Sequence, residues 1–108
     1  MTYQVFLTDD AARDLEELYE YIAEHDGPQK ADYVLDRIES TISGLSELPE
    51  CGAYPRELFS LGIREYREVF FKPYRLIYRI IGEAIYVYMI ADGRRDMQRL
   101  LQRRLFLA

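Results

Sequence analysis

The sequence has little of what metal and thiol chemistry require, with one cysteine, Cys51, and one histidine, His25, in 108 residues. A single cysteine cannot form an internal disulfide, and His25 has no second ligand-type side chain at the spacing of a zinc site. We therefore expect no metal and no cofactor.

No apolar run approaches the roughly 20 residues of a membrane-spanning helix, and residues 1–8 lack the basic start and apolar core of a signal peptide. The sequence thus predicts a cytoplasmic protein without membrane association.

The charges divide unevenly along a chain whose length suits one domain, residues 1–108. Residues 1–50 hold thirteen acidic and three basic side chains, a net charge of −10, whereas residues 51–108 hold six acidic and eleven basic ones, a net charge of +5. The total of −5 argues against strong non-specific binding to nucleic acid, because the field of the protein opposes phosphate. A basic surface in the second half remains.

The hydrophobic pattern follows a helical period in the first half and a strand period in most of the second. The predicted elements are a strand at 3–8, helices at 11–25 and 28–48, an irregular connection at 50–62 with one helical turn, strands at 63–71, 74–81 and 84–91, and a helix at 94–107. The order β-α-α-β-β-β-α predicts an α+β fold. We expect a helical hairpin packed on one face of a mostly antiparallel four-stranded sheet, with the other face partly open and a C-terminal helix closing the chain.

Arginines recur on the strands of the second half. Arg75 and Arg79 are four residues apart and share a face of their strand, because side chains two apart point the same way. Arg67 on the preceding strand can lie on that open face, and Arg94 and Arg95 follow the last strand. The pattern predicts that these five guanidinium groups converge on one target-binding surface.

A second interpretation of these arginines is structural. They would then solubilise an exposed face and pair with Glu65, Glu68 and Asp92. The familiar catalytic templates are missing: the sequence has no Gly-x-Ser-x-Gly, no paired carboxylates among the strands and no phosphate-binding glycine loop. A catalytic site would have to use arginine and tyrosine.

The string Pro73-Tyr74-Arg75-Leu76-Ile77-Tyr78-Arg79, the strand at 85–91 and Gly93-Arg94-Arg95-Asp96, behind a two-helix hairpin, resemble the RelE/ParE superfamily of bacterial type II toxins. The likeness covers nearly the whole chain and is greatest to the ParE-like branch. Toxins of such modules stabilise plasmids and inhibit growth. The resemblance implies a toxin that is paired with a protein antitoxin.

The RelE-like branch cuts mRNA on the ribosome without metal. Arg75 and Arg95 match its arginine positions and Arg94 matches a basic position beside them. Where RelE-like enzymes have paired lysines, this chain has Tyr66-Arg67-Glu68-Val69, and no tyrosine follows Tyr88 to supply their terminal phenol. A carboxylate beside the scissile phosphate is repulsive, so the sequence disfavours ribonuclease activity.

The ParE-like branch implies inhibition of DNA gyrase by binding rather than by catalysis. The implied antitoxin is ParD-like: a ribbon-helix-helix domain contacts promoter DNA, and a C-terminal segment folds onto the toxin. On the hairpin and the sheet edge we expect Leu15, Tyr19, Tyr78 and Tyr86 to contact it.

Two alternatives to gyrase inhibition stay open at this point. One is a RelE-like, metal-independent endoribonuclease in which Arg75 and Arg95 stabilise the phosphate. The other is a toxin-like chain without toxicity that binds its antitoxin and helps to repress their promoter.

Overall fold

The computed structural model describes residues 2–106, which form strands and helices in the predicted order. The elements are β1 (Gln4–Leu7), α1 (Asp9–Asp26), α2 (Pro28–Gly44), α3 (Arg56–Phe59), β2 (Tyr66–Phe71), β3 (Tyr74–Ile81), β4 (Ala84–Asp92) and α4 (Met97–Phe106). The predicted α+β order is confirmed, including the helical turn between the hairpin and the sheet. The main boundary differences are a later start of β2 and α4 and an earlier end of α2. The predicted last residue of α4, Leu107, lies outside the described residues.

Local sequence signals explain the helical hairpin. Thr8 caps α1, because its hydroxyl oxygen accepts a hydrogen bond from the amide of Ala11 at 3.1 Å. Gly27 alone separates α1 from α2 and has a φ of 95°, a conformation that favours glycine. Pro28 occupies the first helical position of α2, where no backbone donor is needed. This one-residue connection makes the helices pack antiparallel.

The sheet has the order β1-β4-β3-β2, with β1 parallel to β4 and the other pairs antiparallel. Gly82 begins the tight β3–β4 turn with a φ of 62°, as the Gly82-Glu83 pattern predicts. The register passes from Ile77 opposite Met89 to Tyr78 opposite Val87, which makes Tyr88 the extra residue of a β-bulge.

Both faces of the sheet are packed. One buried cluster lies between the sheet and the hairpin and comprises Ala11, Ile22, Ala31, Val34, Ile38, Ile42, Leu45, Leu76, Tyr78, Ile85, Val87 and Ile90. A second cluster on the other face comprises Leu58, Tyr66, Ile77, Met89, Ala91, Met97 and Leu101. The prediction of a partly open second face is therefore wrong over this area, because α3 and α4 supply apolar side chains that cover it.

A charged contact at the edge of the sheet fixes α4 to the rest of the fold. The carboxylate of Asp14 accepts hydrogen bonds from the amide of Ile90 at 3.0 Å and from Nη1 of Arg104 at 2.8 Å. Arg104 also donates to the carbonyl oxygen of Tyr88, in the bulge, at 2.7 Å. The contact joins α1, β4 and α4 beyond Val87, the last residue of β4 that pairs with β1.

Tyr78 anchors the loop before α3. Its side chain is 0% exposed, its hydroxyl donates to the carbonyl oxygen of Pro49 at 2.7 Å, and it accepts from the amide of Gly52 at 3.1 Å. A Cβ on Gly52 would lie 2.6 Å from the carbonyl oxygen of Glu68, so only glycine can pass this close to β2. The prediction that Tyr78 contacts an antitoxin is wrong in this structure, because its ring and hydroxyl are buried under the loop.

None of the helices within residues 2–106 combines the length and the apolar character that crossing a lipid bilayer requires.

Candidate functional site

Arg75 is the centre of a buried ion-pair cluster. It lies on β3, its exposed fraction is only 7%, and it sits between a carboxylate from α3 and one from β2. Nη1 and Nη2 donate to the two carboxylate oxygens of Glu57 at 2.9 and 2.7 Å, and Nε donates to Glu68 at 2.7 Å. The paired N–H groups on Glu57 form the bidentate geometry that arginine and carboxylate favour. We call Glu57, Glu68 and Arg75 the buried triad.

The backbone leaves room for the triad at Gly93, just after β4. A Cβ at this position would lie 2.7 Å from Cδ of Arg75 and 3.0 Å from the carbonyl oxygen of Pro73. Any larger residue would therefore push the arginine stem out of its place. The glycine of the Gly93-Arg94-Arg95 string thus leaves the space that the side chain of Arg75 occupies.

The pKa shifts of the triad follow from burial and pairing. Hydrogen bonds to Glu57 and Glu68, with that to Glu57 the larger cause, raise the pKa of Arg75, whereas burial opposes them. The hydrogen bond from Arg75 lowers the pKa of Glu57. Burial is the main cause that raises the pKa of Glu68, and it outweighs the stabilising bond from Arg75. Nε, Nη1 and Nη2 of Arg75 all donate to these two carboxylates, so the charge of the guanidinium is compensated within the triad.

The five arginines predicted to converge do not do so. Arg75 belongs to the buried triad, and Arg67 is opposite Tyr78 in the register, so it points to the hairpin side of the sheet. There it donates to the carbonyl oxygen of Gly52 at 2.9 Å. Arg79 lies on the other face, with its guanidinium 5.8 Å from the ring centre of Tyr66. The predicted convergence of all five is therefore wrong: Arg67 and Arg79 line one cavity at the start of β2, whereas Arg75 is held apart from them by Glu57 and Glu68.

Arg94 and Arg95 remain at the surface, at the end of β4. The side chain of Arg94 is 77% exposed, and its Nη2 lies 2.6 Å from a carboxylate oxygen of Asp92. This pairing lowers the pKa of Asp92. The side chain of Arg95 is exposed and has no ion-pair partner within residues 2–106. Both stay available to a partner, but they lie at the opposite end of β3 from Arg79.

The structural interpretation of the arginines is confirmed for two of its three pairs. Glu68 pairs with Arg75 and Asp92 pairs with Arg94, whereas Glu65 forms no ion pair within the described part of the chain. Sequence reasoning missed Glu57. Its only signal was a carboxylate in the one predicted helical turn, and neither spacing nor periodicity links that turn to β3.

The residues predicted to contact an antitoxin occupy separate surfaces. Leu15 and Tyr19 line an open groove of about 430 Å³ on the outer face of the hairpin, and the other lining residues are Ala12, Glu16, Glu20 and Leu35. Tyr86 lies on the opposite side of the sheet, half-buried and stacked on Phe6 with ring centres 5.4 Å apart. Of the four, only Leu15 and Tyr19 share one surface.

The groove has a polar rim. The hydroxyl of Tyr19 donates to the carboxylate of Asp32 at 2.6 Å, and this hydrogen bond raises the pKa of Tyr19. The bond crosses from α1 to α2 and holds the phenol ring in place.

Within residues 2–106 no three histidine, cysteine or carboxylate side chains are grouped as metal ligands would be, and Cys51 is exposed.

Comparison with known proteins defines the class. Residues 5–97 match the family described as the ParE toxin of the type II toxin-antitoxin system parDE. The chain is also 31% identical over 94 residues to Toxin ParE3 of Caulobacter vibrioides, covering 87% of this chain and 90% of ParE3. The chain therefore belongs to the ParE toxin family and is the toxin of a type II toxin-antitoxin module.

Solved structures show the same fold. The chromosomal ParDE system of P. aeruginosa matches with a TM-score of 0.71 and 23% identity, covering 84% of this chain and 96% of the other. The RelBE2 toxin-antitoxin complex of Mycobacterium tuberculosis matches with a TM-score of 0.58 and 23% identity, covering 85% and 99%. At these identities the likeness establishes the RelE/ParE fold. Toxins of this superfamily pair with an antitoxin.

The triad makes a specific prediction about stability. Replacing Arg75 with methionine should lower the free energy of unfolding by about 3 kcal/mol, because the buried carboxylate of Glu68 and the half-buried one of Glu57 lose their shared cation. Urea unfolding followed by circular dichroism measures the change. The matched control is Arg94→Met, whose side chain is exposed and whose loss should leave the midpoint nearly unchanged. Equal midpoints for Arg75→Met and Arg94→Met would show that the triad does not hold the fold together.

Proposed function

We propose that this ParE-family toxin inhibits DNA gyrase by binding and does not cleave RNA. The observation that carries the proposal is the pairing of Arg75, the strand arginine that matches the RelE-like catalytic position. Metal-free RNA cleavage needs cations that are free to stabilise a pentacoordinate phosphate. Arg75 is instead buried, and its three side-chain nitrogens donate to Glu57 and Glu68, so its charge is already compensated. The choice of gyrase as target rests on the ParE family resemblance.

We further propose that a ParD-like antitoxin neutralises the toxin at the groove between α1 and α2. The groove is lined by the apolar side chains of Ala12, Leu15 and Leu35, with Glu16 and Glu20 among its lining residues. An amphipathic helix can bury its apolar face there, and basic residues beside that face would pair with the two glutamates. The strongly acidic first half of the toxin favours such a segment and disfavours direct contact with promoter DNA.

A supercoiling assay tests the function itself. Purified toxin should stop gyrase from supercoiling relaxed plasmid. An inhibitor that stabilises the complex of gyrase with cleaved DNA leaves both strands cut, so digestion of the gyrase with protease should then release linear DNA. The same toxin preincubated with its antitoxin is the control and should leave supercoiling intact. Normal supercoiling at a large molar excess of free toxin would contradict the proposal.

The antitoxin site is tested by blocking the groove without touching the core. Ala12 is exposed on α1, and Ala12→Arg would place a long side chain in the groove at a position where arginine is a good helix former. We expect the affinity for the cognate antitoxin to fall at least about tenfold in calorimetry. Gln29→Arg makes the same change of charge at an exposed position of α2 outside the groove and should bind as wild type does. Undiminished binding by Ala12→Arg would place the antitoxin elsewhere.

A further inference from the structure

Two arginines and two aromatic rings form a ladder between the loop before α3 and the start of β2. The guanidinium of Arg64 lies 5.0 Å from the ring centre of Phe59, and the rings of Phe59 and Tyr54 are stacked with centres 5.8 Å apart. Arg67 lies 4.7 Å from the ring centre of Tyr54 and donates to its hydroxyl at 3.3 Å. Each ring thus holds one arginine in a defined position.

A cavity next to this ladder adds a third cation. It measures about 230 Å³ and is lined by Arg64, Glu65, Arg67, Arg79 and Ile80. Within residues 2–106, neither Arg64 nor Arg79 forms an ion pair, in contrast to Arg75, Arg94 and Arg104. We call Tyr54, Phe59, Arg64, Arg67 and Arg79 the arginine corner. It holds three ordered guanidinium groups with little internal charge compensation.

The aromatic side chains of the corner and the neighbouring Leu61 are exposed. Tyr54 is 37% exposed, Phe59 is 46% exposed, and the neighbouring Leu61 is 63% exposed. Arginine and aromatic residues that are held in place beside an apolar side chain are the composition of binding hot spots in protein interfaces. A carboxylate of a partner can accept two N–H groups of one guanidinium while its flanking apolar residue covers Phe59 and Leu61. The corner therefore suits an acidic segment with an apolar anchor.

A protein segment suits the corner better than nucleic acid does. The two rings already pack against each other and against arginines, so a base would have to displace one of these neighbours in order to stack. Glu65 beside the arginines and the net charge of −5 both oppose a continuous run of phosphates. A few carboxylates on a short segment can be placed so that they avoid Glu65.

We propose that the arginine corner docks an acidic segment of the protein that this toxin inhibits. The inference rests on the proposed function, in which that protein is gyrase. The corner and the Arg94-Arg95 pair lie at different ends of β3. Arg79, near the C-terminal end of β3, pairs with Tyr66, whereas Tyr74, at its N-terminal end, pairs with Asp92 just before Arg94. It is also distinct from the groove between α1 and α2, so toxin variants at the corner keep their antitoxin surface.

Charge reversal tests the corner, with growth inhibition as a readout that does not depend on the identity of the target. Arg64→Glu/Arg79→Glu should need at least about tenfold more toxin to stop growth and to inhibit supercoiling, because close charge pairs at an interface are strongly coupled. The control Lys30→Glu/Lys72→Glu makes the same change of charge at exposed positions outside the corner and should act as wild type does. Circular dichroism and antitoxin binding establish that each variant is folded. If the double variant does not fold, Arg64→Glu alone replaces it, since Arg64 is exposed.

The outcomes separate the corner from the target. Equal potency of Arg64→Glu/Arg79→Glu and the lysine control would overturn the docking role. The affinity of Arg64→Glu/Arg79→Glu for a 20-base-pair DNA duplex is measured by fluorescence anisotropy. If this variant binds the duplex more weakly than wild type but binds gyrase equally well, the corner is a nucleic-acid site and the docking role is overturned. If growth inhibition depends on the corner while wild-type toxin leaves gyrase unaffected, the gyrase proposal fails and the corner is assigned to another target protein.

Discussion

The pairing of Arg75 with Glu57 and Glu68 is the interaction on which the rest of the structure depends. It joins α3, β2 and β3 on the face of the sheet that α3 and α4 cover, and Gly93 leaves space for the aliphatic part of the arginine side chain. Removing one partner would leave an uncompensated charge in a buried place, which costs far more than an exposed ion pair contributes. The same contacts take the strand arginine away from solvent. One set of hydrogen bonds thus stabilises the fold and removes the cation that phosphate chemistry would need.

Away from the buried triad, the surface has two regions with different chemistry. The outer face of the hairpin is an apolar groove with glutamates, which suits a basic amphipathic segment of an antitoxin. The arginine corner has the opposite charge and exposed aromatic side chains. Because the two regions differ in charge, we expect them to select different partners. In the functions proposed for these two regions, antitoxin binding and target binding would be altered independently by substitution.

Much of the fold was predictable from the sequence, because its signals are local. The apolar spacing of α1, the Gly27-Pro28 junction and the Gly82 turn each specify an element without reference to distant residues. The arrangement of the site was not predictable in the same way. Alternation along β3 places Arg75 on one face of the sheet, yet only the packing of α3 decides that this face is covered and that Glu57 reaches the guanidinium. Burial of Tyr78 under the loop before α3 is likewise a contact between distant segments.

We propose that Arg75, held by Glu57 and Glu68, takes no part in cleaving RNA. Primer extension on a defined transcript in a translating extract tests this claim most directly, with pure toxin added at increasing concentration. The account predicts intact transcripts at every concentration, including concentrations that inhibit gyrase. New cuts within codons that appear with wild-type toxin, and that are absent with toxin preincubated with its antitoxin, would contradict it.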